Sequence, residues 1–167
     1  DVSPANSIVN RMAKLILYLD SQYPGRNWAQ FLDTHNTVKW SNVIVAGHSV
    51  GGGQAGVMAK YYPLARVVMI NAIDWDYSEN APAQWVMMPS ETSPENYFGL
   101  THEQDEGFSF DLVLQVWDAF GMSAYGNHVE VDTSSPPYNN THTLSTNYEP
   151  APSSGIFYSH HMCTAVD

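Results

Sequence analysis

One short segment constrains this chain more than any other feature. Gly47-His48-Ser49-Val50-Gly51 fits the pattern G-x-S-x-G, and it stands directly after an apolar run at residues 43–46 and directly before a glycine-rich stretch. A serine in such a strand-to-helix turn holds its hydroxyl clear of the sheet, and flanking glycines permit the crowding of the turn. The backbone N–H of Val50, at the helix start, would face negative charge that develops on an attacked carbonyl. The pattern predicts Ser49 as a nucleophile and Val50 as an oxyanion-hole donor.

Strands and helices are predicted to alternate around this turn. The continuous apolar run at residues 43–46 is typical of a strand buried on both faces. Strand–helix–strand units require a parallel sheet that is covered by helices. The sequence therefore predicts an α/β fold with a mostly parallel sheet and flanking helices. The further predicted elements are a helix at residues 50–62, strands at residues 66–70 and 97–101, and a helix at residues 110–120.

The two ends of the chain carry different signals. Ser3 as a cap and Pro4 in the first turn predict a helix that continues until residues 23–25. Residues 122–159 are rich in Ser, Thr, Asn, Pro and Tyr without a sustained period, which predicts a long irregular loop. Because no linker or repeat divides the chain, we expect a single domain over residues 1–167.

Charge and composition exclude several classes of protein. The net charge is −11, and all six Lys and Arg residues lie in the first 66 positions. This balance makes nucleic acid a poor partner, because binding to phosphate backbones needs clustered basic side chains. No apolar run reaches the length of a membrane span.

Cysteine usage and polar composition bear on the compartment. Cys163 is the single cysteine, so the chain has no intrachain disulfide and none of the cysteine-based zinc frameworks. Few lysines, many Ser, Thr, Asn and Tyr residues, and an N-glycosylation pattern at Asn139 favour a secreted or extracytoplasmic protein. Whether Asn139 is glycosylated is left open.

A nucleophilic serine needs a base and a group that orients the base. On an α/β-hydrolase sheet the chain order is serine, then acid, then histidine. Asp105 follows the third predicted strand and is the preferred acid, with Glu103 and Glu106 as alternatives. Near the end of the chain His161 is the preferred base, with His160 as the alternative.

Other chemistries receive less support from the sequence. The glycines after Ser49 lack the Gly-Lys-Ser/Thr of a phosphate-binding loop, and no dinucleotide pattern is present, so we expect no cofactor. His48 is expected to pack beside the turn without a place in the triad. A third interpretation is a calcium site built from Asp74, Asp76, Glu103 and Asp105, but two carboxylates in one loop fall short of an oxygen cage, and we expect no metal.

Several stretches of the sequence resemble a little-characterised group of microbial α/β-hydrolases. The likeness implies that Ser49 is the nucleophile, Asp105 the acid and His161 the base, in agreement with the chemistry above. The stretches that carry it are residues 27–32, 40–55 with the Gly-His-Ser-Val-Gly turn, 65–69, 97–106 and 161–167.

The likeness also implies that this chain lacks the N-terminal part of the fold. Members of this group carry several strands and an oxyanion-hole loop ahead of the helix that opens this chain. We therefore expect a partial α/β-hydrolase fold without its N-terminal strands, as the C-terminal portion of a larger domain, or a partner chain that completes the sheet. The second oxyanion donor would come from that segment, and the strand at residues 43–46 would present an open edge.

The sequence predicts a serine hydrolase that cleaves small-molecule carboxylic esters through an acyl-enzyme. The alternative is a non-catalytic module with a hydrolase fold that binds or assembles, through the tyrosine-rich segment at residues 122–159. The identity of the ester stays open, because loops and caps shape the pockets of this fold.

Overall fold

The computed structural model describes residues 3–150 and 159–165. The chain divides into two compact units, Asp1–Val43 and Ile44–Asp167, where the sequence predicts a single domain. Each unit is described by itself. In the described residues no helix is long and apolar enough to cross a membrane.

The first unit is built on one amphipathic helix, α1 (Ile8–Gln22). The cap differs from the prediction, because Pro4–Asn6 forms a separate 3-10 turn and the Ser7 side chain, in place of Ser3, accepts the hydrogen bond from the Asn10 N–H. The helix ends before Tyr23, as predicted. The 3-10 turns that follow α1 are Pro24–Arg26, Trp28–Phe31 and Trp40–Asn42.

The second unit has an α/β fold, as the sequence predicts. The elements are β1 (Ile44–His48), α2 (Val50–Tyr61), β2 (Arg66–Ile70), β3 (Trp75–Asp76), β4 (Ala81–Pro82), β5 (Tyr97–His102), α3 (Phe110–Ala119), β6 (Val129–Glu130), β7 (Thr143–Thr146) and α4 (Ser159–Cys163). The five-stranded sheet has the order β1-β2-β5-β7-β6 with parallel neighbours, and β3 and β4 form a separate antiparallel pair.

Strand β1 differs from its prediction. It begins at Ile44 and stands at one end of the sheet order, with β2 as its neighbour among the described residues. Its side chains are not buried on both faces, since Ile44 is 60% exposed. The apolar run correctly indicated a strand, but burial on both faces was wrong. The place of β1 at the end of the sheet order agrees with the open edge expected for residues 43–46. In β2, by contrast, Val67 and Met69 are buried.

The irregular loop predicted at residues 122–159 contains two strands that the prediction missed. It contains β6 and β7, and β7 lies inside the sheet between β5 and β6. The prediction failed because β7 consists of Thr143-Leu144-Ser145-Thr146, whose polar side chains are buried without an apolar run. Residues 151–158 of the predicted loop lie outside the described residues.

Hydrogen bonds link β1, β2 and β5 near their carboxyl ends, at one edge of the sheet. The Ser49 N–H, just after β1, donates to the Ile70 carbonyl at the end of β2 over 2.9 Å. The Asn71 N–H, just after β2, donates in turn to the Leu100 carbonyl of β5 over 2.9 Å. Side chains that follow these strands are thereby brought to one place, as is general for ligand sites of open parallel sheets.

Candidate active site

Ser49 occupies a sharp turn between β1 and α2. Its backbone angles, φ 55° and ψ −126°, lie in a region that residues with a Cβ rarely adopt, at a cost of about 1–3 kcal/mol. The turn is held by the hydrogen bond from the Ser49 N–H to the Ile70 carbonyl and by bonds from the Gly52 and Gly53 N–H groups to the Ser49 carbonyl. The surrounding structure therefore fixes a conformation that the serine alone would avoid.

Close backbone packing explains two glycines at this turn. A Cβ at Gly47 would lie 2.2 Å from the carbonyl carbon of Gly51, and a Cβ at Gly52 would lie 2.4 Å from the Cβ of Ala72. A Cβ at Gly51, by contrast, would meet no heavy atom within 4 Å. The crowding predicted from G-x-S-x-G thus applies to Gly47 and to Gly52, which lies outside the pattern, rather than to Gly51.

Val50 is the first residue of α2, directly after Ser49. The first N–H groups of a helix have no acceptor within the helix and carry its positive partial charge. Val50 is 77% exposed, so the start of α2 is accessible. Val50 is therefore placed beside the nucleophile with a backbone donor, where the sequence predicts an oxyanion contact.

Asp105 and His161 meet by a hydrogen bond. The Nδ1 of His161, on α4, lies 2.6 Å from Oδ2 of Asp105, in the loop after β5. The carboxylate is nearly inaccessible, with 1% of the side chain exposed, and its Oδ1 accepts the Gly107 N–H over 2.7 Å. Because an ionised carboxylate only accepts, the proton lies on Nδ1, and Nε2 is the basic nitrogen of the neutral ring.

Ser49 and His161 line the same cavity. The cavity has a volume of about 340 Å³, and the described residues in its wall are Ser49, Gly107, Phe108 and His161. The Phe108 ring meets the His161 ring edge-on, with centroids 5.7 Å apart. The structure shows no hydrogen bond between the Ser49 and His161 side chains; such bonds commonly tighten only when substrate binds.

Glu106 holds the start of α4. Its carboxylate accepts the backbone N–H groups of His160 and His161, each over 3.0 Å, and faces Nδ1 of His160 at 2.8 Å. Partial burial would raise the pKa of Glu106, but these hydrogen bonds to the charged form outweigh it and lower the pKa from 4.5 to about 2. Glu106, an alternative acid in the sequence analysis, thus binds the backbone of the helix that carries His161.

The alternative base, His160, lies between carboxylates. Its ring contacts Glu106 and also Glu149, whose Oε2 is 3.3 Å from Nε2. Burial would lower the pKa of His160, but the hydrogen bonds to Glu106 and Glu149 and their negative charges raise it above 6.5. His160 is not among the described residues of the Ser49 cavity wall.

The alternative acid, Glu103, is directed toward β7. Its two oxygens accept hydrogen bonds from the Ser145 hydroxyl over 2.7 Å and from the Asn147 side chain over 2.8 Å. The three neighbouring carboxylates, among which the sequence prefers Asp105, therefore have different hydrogen-bond partners. Only that of Asp105 is bound to the His161 ring.

Sequence reasoning missed Asn71. This residue is fully buried directly after β2 and adopts a positive φ of 40°. Its Oδ1 accepts the His102 N–H over 2.7 Å, and its Nδ2 donates to the His161 carbonyl over 2.7 Å. An asparagine at the carboxyl end of a buried strand was the available signal, since Asn tolerates positive φ.

The carboxylates of the calcium interpretation have separate partners. Asp76 accepts from Ser78 and Glu79 in its own turn, and Asp74 accepts from the Trp85 indole. Across residues 3–150 and 159–165, no group of three or more His, Cys, Asp or Glu side chains could hold a metal ion.

No family model matches the chain, and neither a curated protein nor a solved structure is significantly similar to it. The resemblance to α/β-hydrolases therefore remains a prediction from the sequence.

Proposed function

We propose that this protein is a serine hydrolase that cleaves carboxylic esters through an acyl-enzyme. One observation carries the proposal: Ser49, held at a strained strand-to-helix turn, shares a cavity with His161, whose Nδ1 is 2.6 Å from the buried Asp105 carboxylate. Nucleophile, base and orienting acid are thus assembled at the carboxyl edge of a parallel sheet. They also follow the chain order serine, acid, histidine of α/β-hydrolases.

In the acylation step, Ser49 Oγ attacks the ester carbonyl carbon while Nε2 of His161 accepts the hydroxyl proton. The carbonyl electron pair moves onto oxygen, where the Val50 N–H stabilises the negative charge. The intermediate collapses with cleavage of the bond to the alcohol oxygen, which takes the proton from His161. The products are a free alcohol and an ester of Ser49.

In the deacylation step, water replaces the alcohol. His161 accepts a proton from the water as its oxygen attacks the acyl carbon, and it returns this proton to Ser49 Oγ when the acid leaves. Asp105 keeps Nδ1 protonated and stabilises the imidazolium that forms twice in the cycle. No redox partner or cofactor is required by this scheme.

The test is hydrolysis of a short-chain p-nitrophenyl ester by the full chain and by Ser49→Ala. We expect Ser49→Ala to lower kcat by at least about 10³-fold with an unchanged fold, since loss of a triad nucleophile has effects of this size or larger. Ser41→Ala, at an exposed position of the first unit, is the matched control and should retain wild-type turnover. Equal turnover by Ser49→Ala would overturn the proposal. A folded wild-type protein that is inert would favour the alternative of a binding or assembly module.

A further inference from the structure

The backbone carbonyl oxygen of His161 is held by two side chains. His48 Nε2 lies 2.7 Å from this oxygen, and Asn71 Nδ2 also lies 2.7 Å from it. A carbonyl oxygen only accepts, so the His48 proton lies on Nε2. The His48 and His161 rings are also in contact, with centroids 4.6 Å apart.

The two donors come from neighbouring strands. His48 is the last residue of β1 and pairs with Ile70, and Asn71 follows Ile70 directly. Asn71 has a second bond, to the His102 N–H of β5. The ends of β1, β2 and β5 are therefore all linked to the residue proposed as the base.

Helix α4 needs such support. It has five residues, and a helix of this length has little stability by itself. Glu106 binds two of its N–H groups, and His48 and Asn71 bind one of its carbonyls. The bond to Asp105 fixes the tautomer of the His161 ring, whereas these backbone bonds fix the position from which the ring reaches the cavity.

We propose that His48 is a positioning residue of the hydrolase: its Nε2–H, together with Asn71, fixes the His161 backbone so that the imidazole faces Ser49. This inference rests on the proposed function. His48 directly precedes the nucleophile and lies 113 positions from His161, so one side chain links the nucleophile turn to the segment that carries the base. From the sequence alone, His48 is expected only to pack beside the turn.

The test compares two substitutions that differ in one donor. His48→Gln keeps an N–H near the position of Nε2, whereas His48→Met keeps a side chain of similar reach without a donor. The readouts are the second-order rate of Ser49 labelling by a fluorophosphonate and the separate values of kcat and KM for a p-nitrophenyl ester. His35→Met, in an exposed turn of the first unit, is the matched control.

We expect His48→Met to lower the labelling rate and kcat by about 10- to 100-fold, with KM changed by less than about threefold, because small displacements of a reacting group have effects of this size. His48→Gln should recover most of the loss, and His35→Met should match wild type. If His48→Met does not fold, Asn71→Asp supplies the test, because it keeps the acceptor for the His102 N–H and replaces the donor to His161 with an oxygen. We expect it to slow labelling as well.

The outcomes separate the two proposals. Suppose that the wild-type protein is labelled at Ser49 and that His48→Met and Asn71→Asp are labelled equally fast. This result would overturn the positioning role of His48 and would leave the proposed hydrolase activity intact. An equal loss in His48→Gln and His48→Met would also overturn it, because the donor would then be irrelevant. Folded wild-type protein that is not labelled would overturn the hydrolase and this inference with it.

Discussion

The Asp105 carboxylate and the His161 imidazole, 56 positions apart in the chain, are joined by a 2.6 Å hydrogen bond from Nδ1 to Oδ2. The neighbouring histidine, His160, is bound instead to Glu106 and Glu149. Two adjacent histidines on one short helix thus have different carboxylate partners. The His161 ring lies in the wall of the Ser49 cavity with its proton on Nδ1, as the proposed base requires, whereas His160 is paired at the start of the helix.

Asp105→Asn should test the role of the acid. The amide keeps the shape of the side chain but removes the charge, and its NH₂ group favours the wrong tautomer of His161. We expect kcat for ester hydrolysis to fall by about 10²- to 10⁴-fold, in line with such changes in other triads. Glu103→Gln is the control, because the Glu103 carboxylate binds Ser145 and Asn147. This substitution should change kcat by less than about threefold. Similar effects from the two variants would contradict the assignment of the acid.

Alanine substitutions at Gly47, Gly51 and Gly52 should show which of these glycines is required for close packing of the turn. Gly47→Ala and Gly52→Ala introduce a Cβ 2.2 Å and 2.4 Å from the nearest heavy atom, and we expect each to lower the free energy of unfolding by about 1–3 kcal/mol or more. Gly51→Ala meets open space within α2, where alanine is the better helix former, so stability should be unchanged or raised by up to about 1 kcal/mol. Urea denaturation followed by circular dichroism measures all three. A destabilised Gly51→Ala beside a stable Gly52→Ala would contradict the packing described here.

Glu106 should stabilise the second unit through α4. Removal of its carboxylate leaves the His160 and His161 N–H groups without this acceptor, so Glu106→Ala should lower the free energy of unfolding by about 1 kcal/mol, as for other helix caps. Glu91→Ala, at an exposed position of the same unit, is the control and makes the same change of side chain. The loss should appear in urea denaturation near neutral pH; a Glu106→Ala protein as stable as wild type would show that this cap contributes nothing.

The cluster formed by Glu106 and His160 predicts a dependence of stability on pH. The pKa of Glu106 is lowered from 4.5 to about 2, so its contribution is complete above pH 4.5 and is lost as the pH falls through about 2. The pKa of His160 is raised above 6.5, so its contribution is complete below pH 6.5 and is lost as the pH rises through the raised value. The cluster therefore stabilises the fold most between about pH 4.5 and 6.5.

This window can be measured with His160→Gln. The difference in unfolding free energy between wild type and variant should be larger at pH 5.5 than at pH 9, because the wild-type ring loses its charge as the pH rises. A difference that grows toward pH 9 would contradict the ion pairs of His160.

The parts of the fold with strong local signals were predictable from sequence. Strand β2 was predicted at residues 66–70 and lies there, and α2 was predicted at residues 50–62 and spans Val50–Tyr61. An apolar run or a helical period ended by glycine or proline specifies such elements without reference to the rest of the chain. Strand β7 has no such signal, because its buried Ser145 and Thr146 are satisfied by Glu103 and Asp132, partners that no local pattern reveals.

The site was predictable only in part, for a related reason. Motif and chain order singled out Ser49 and favoured Asp105 and His161, but spacing alone could not separate Asp105 from its carboxylate neighbours. The contacts of His48 and Asn71 could not be predicted from the sequence. Both side chains donate to a backbone carbonyl, and every residue has a backbone carbonyl whatever its side chain. Such contacts become visible only when the chain is folded.

The nucleophilic role of Ser49 is tested by peptide mapping with mass spectrometry after the folded full chain has reacted with a fluorophosphonate. We expect one adduct, on the peptide that contains Ser49, and its loss in His161→Ala. Absence of an adduct on folded protein, or an adduct on another serine with Ser49 unmodified, would contradict this role.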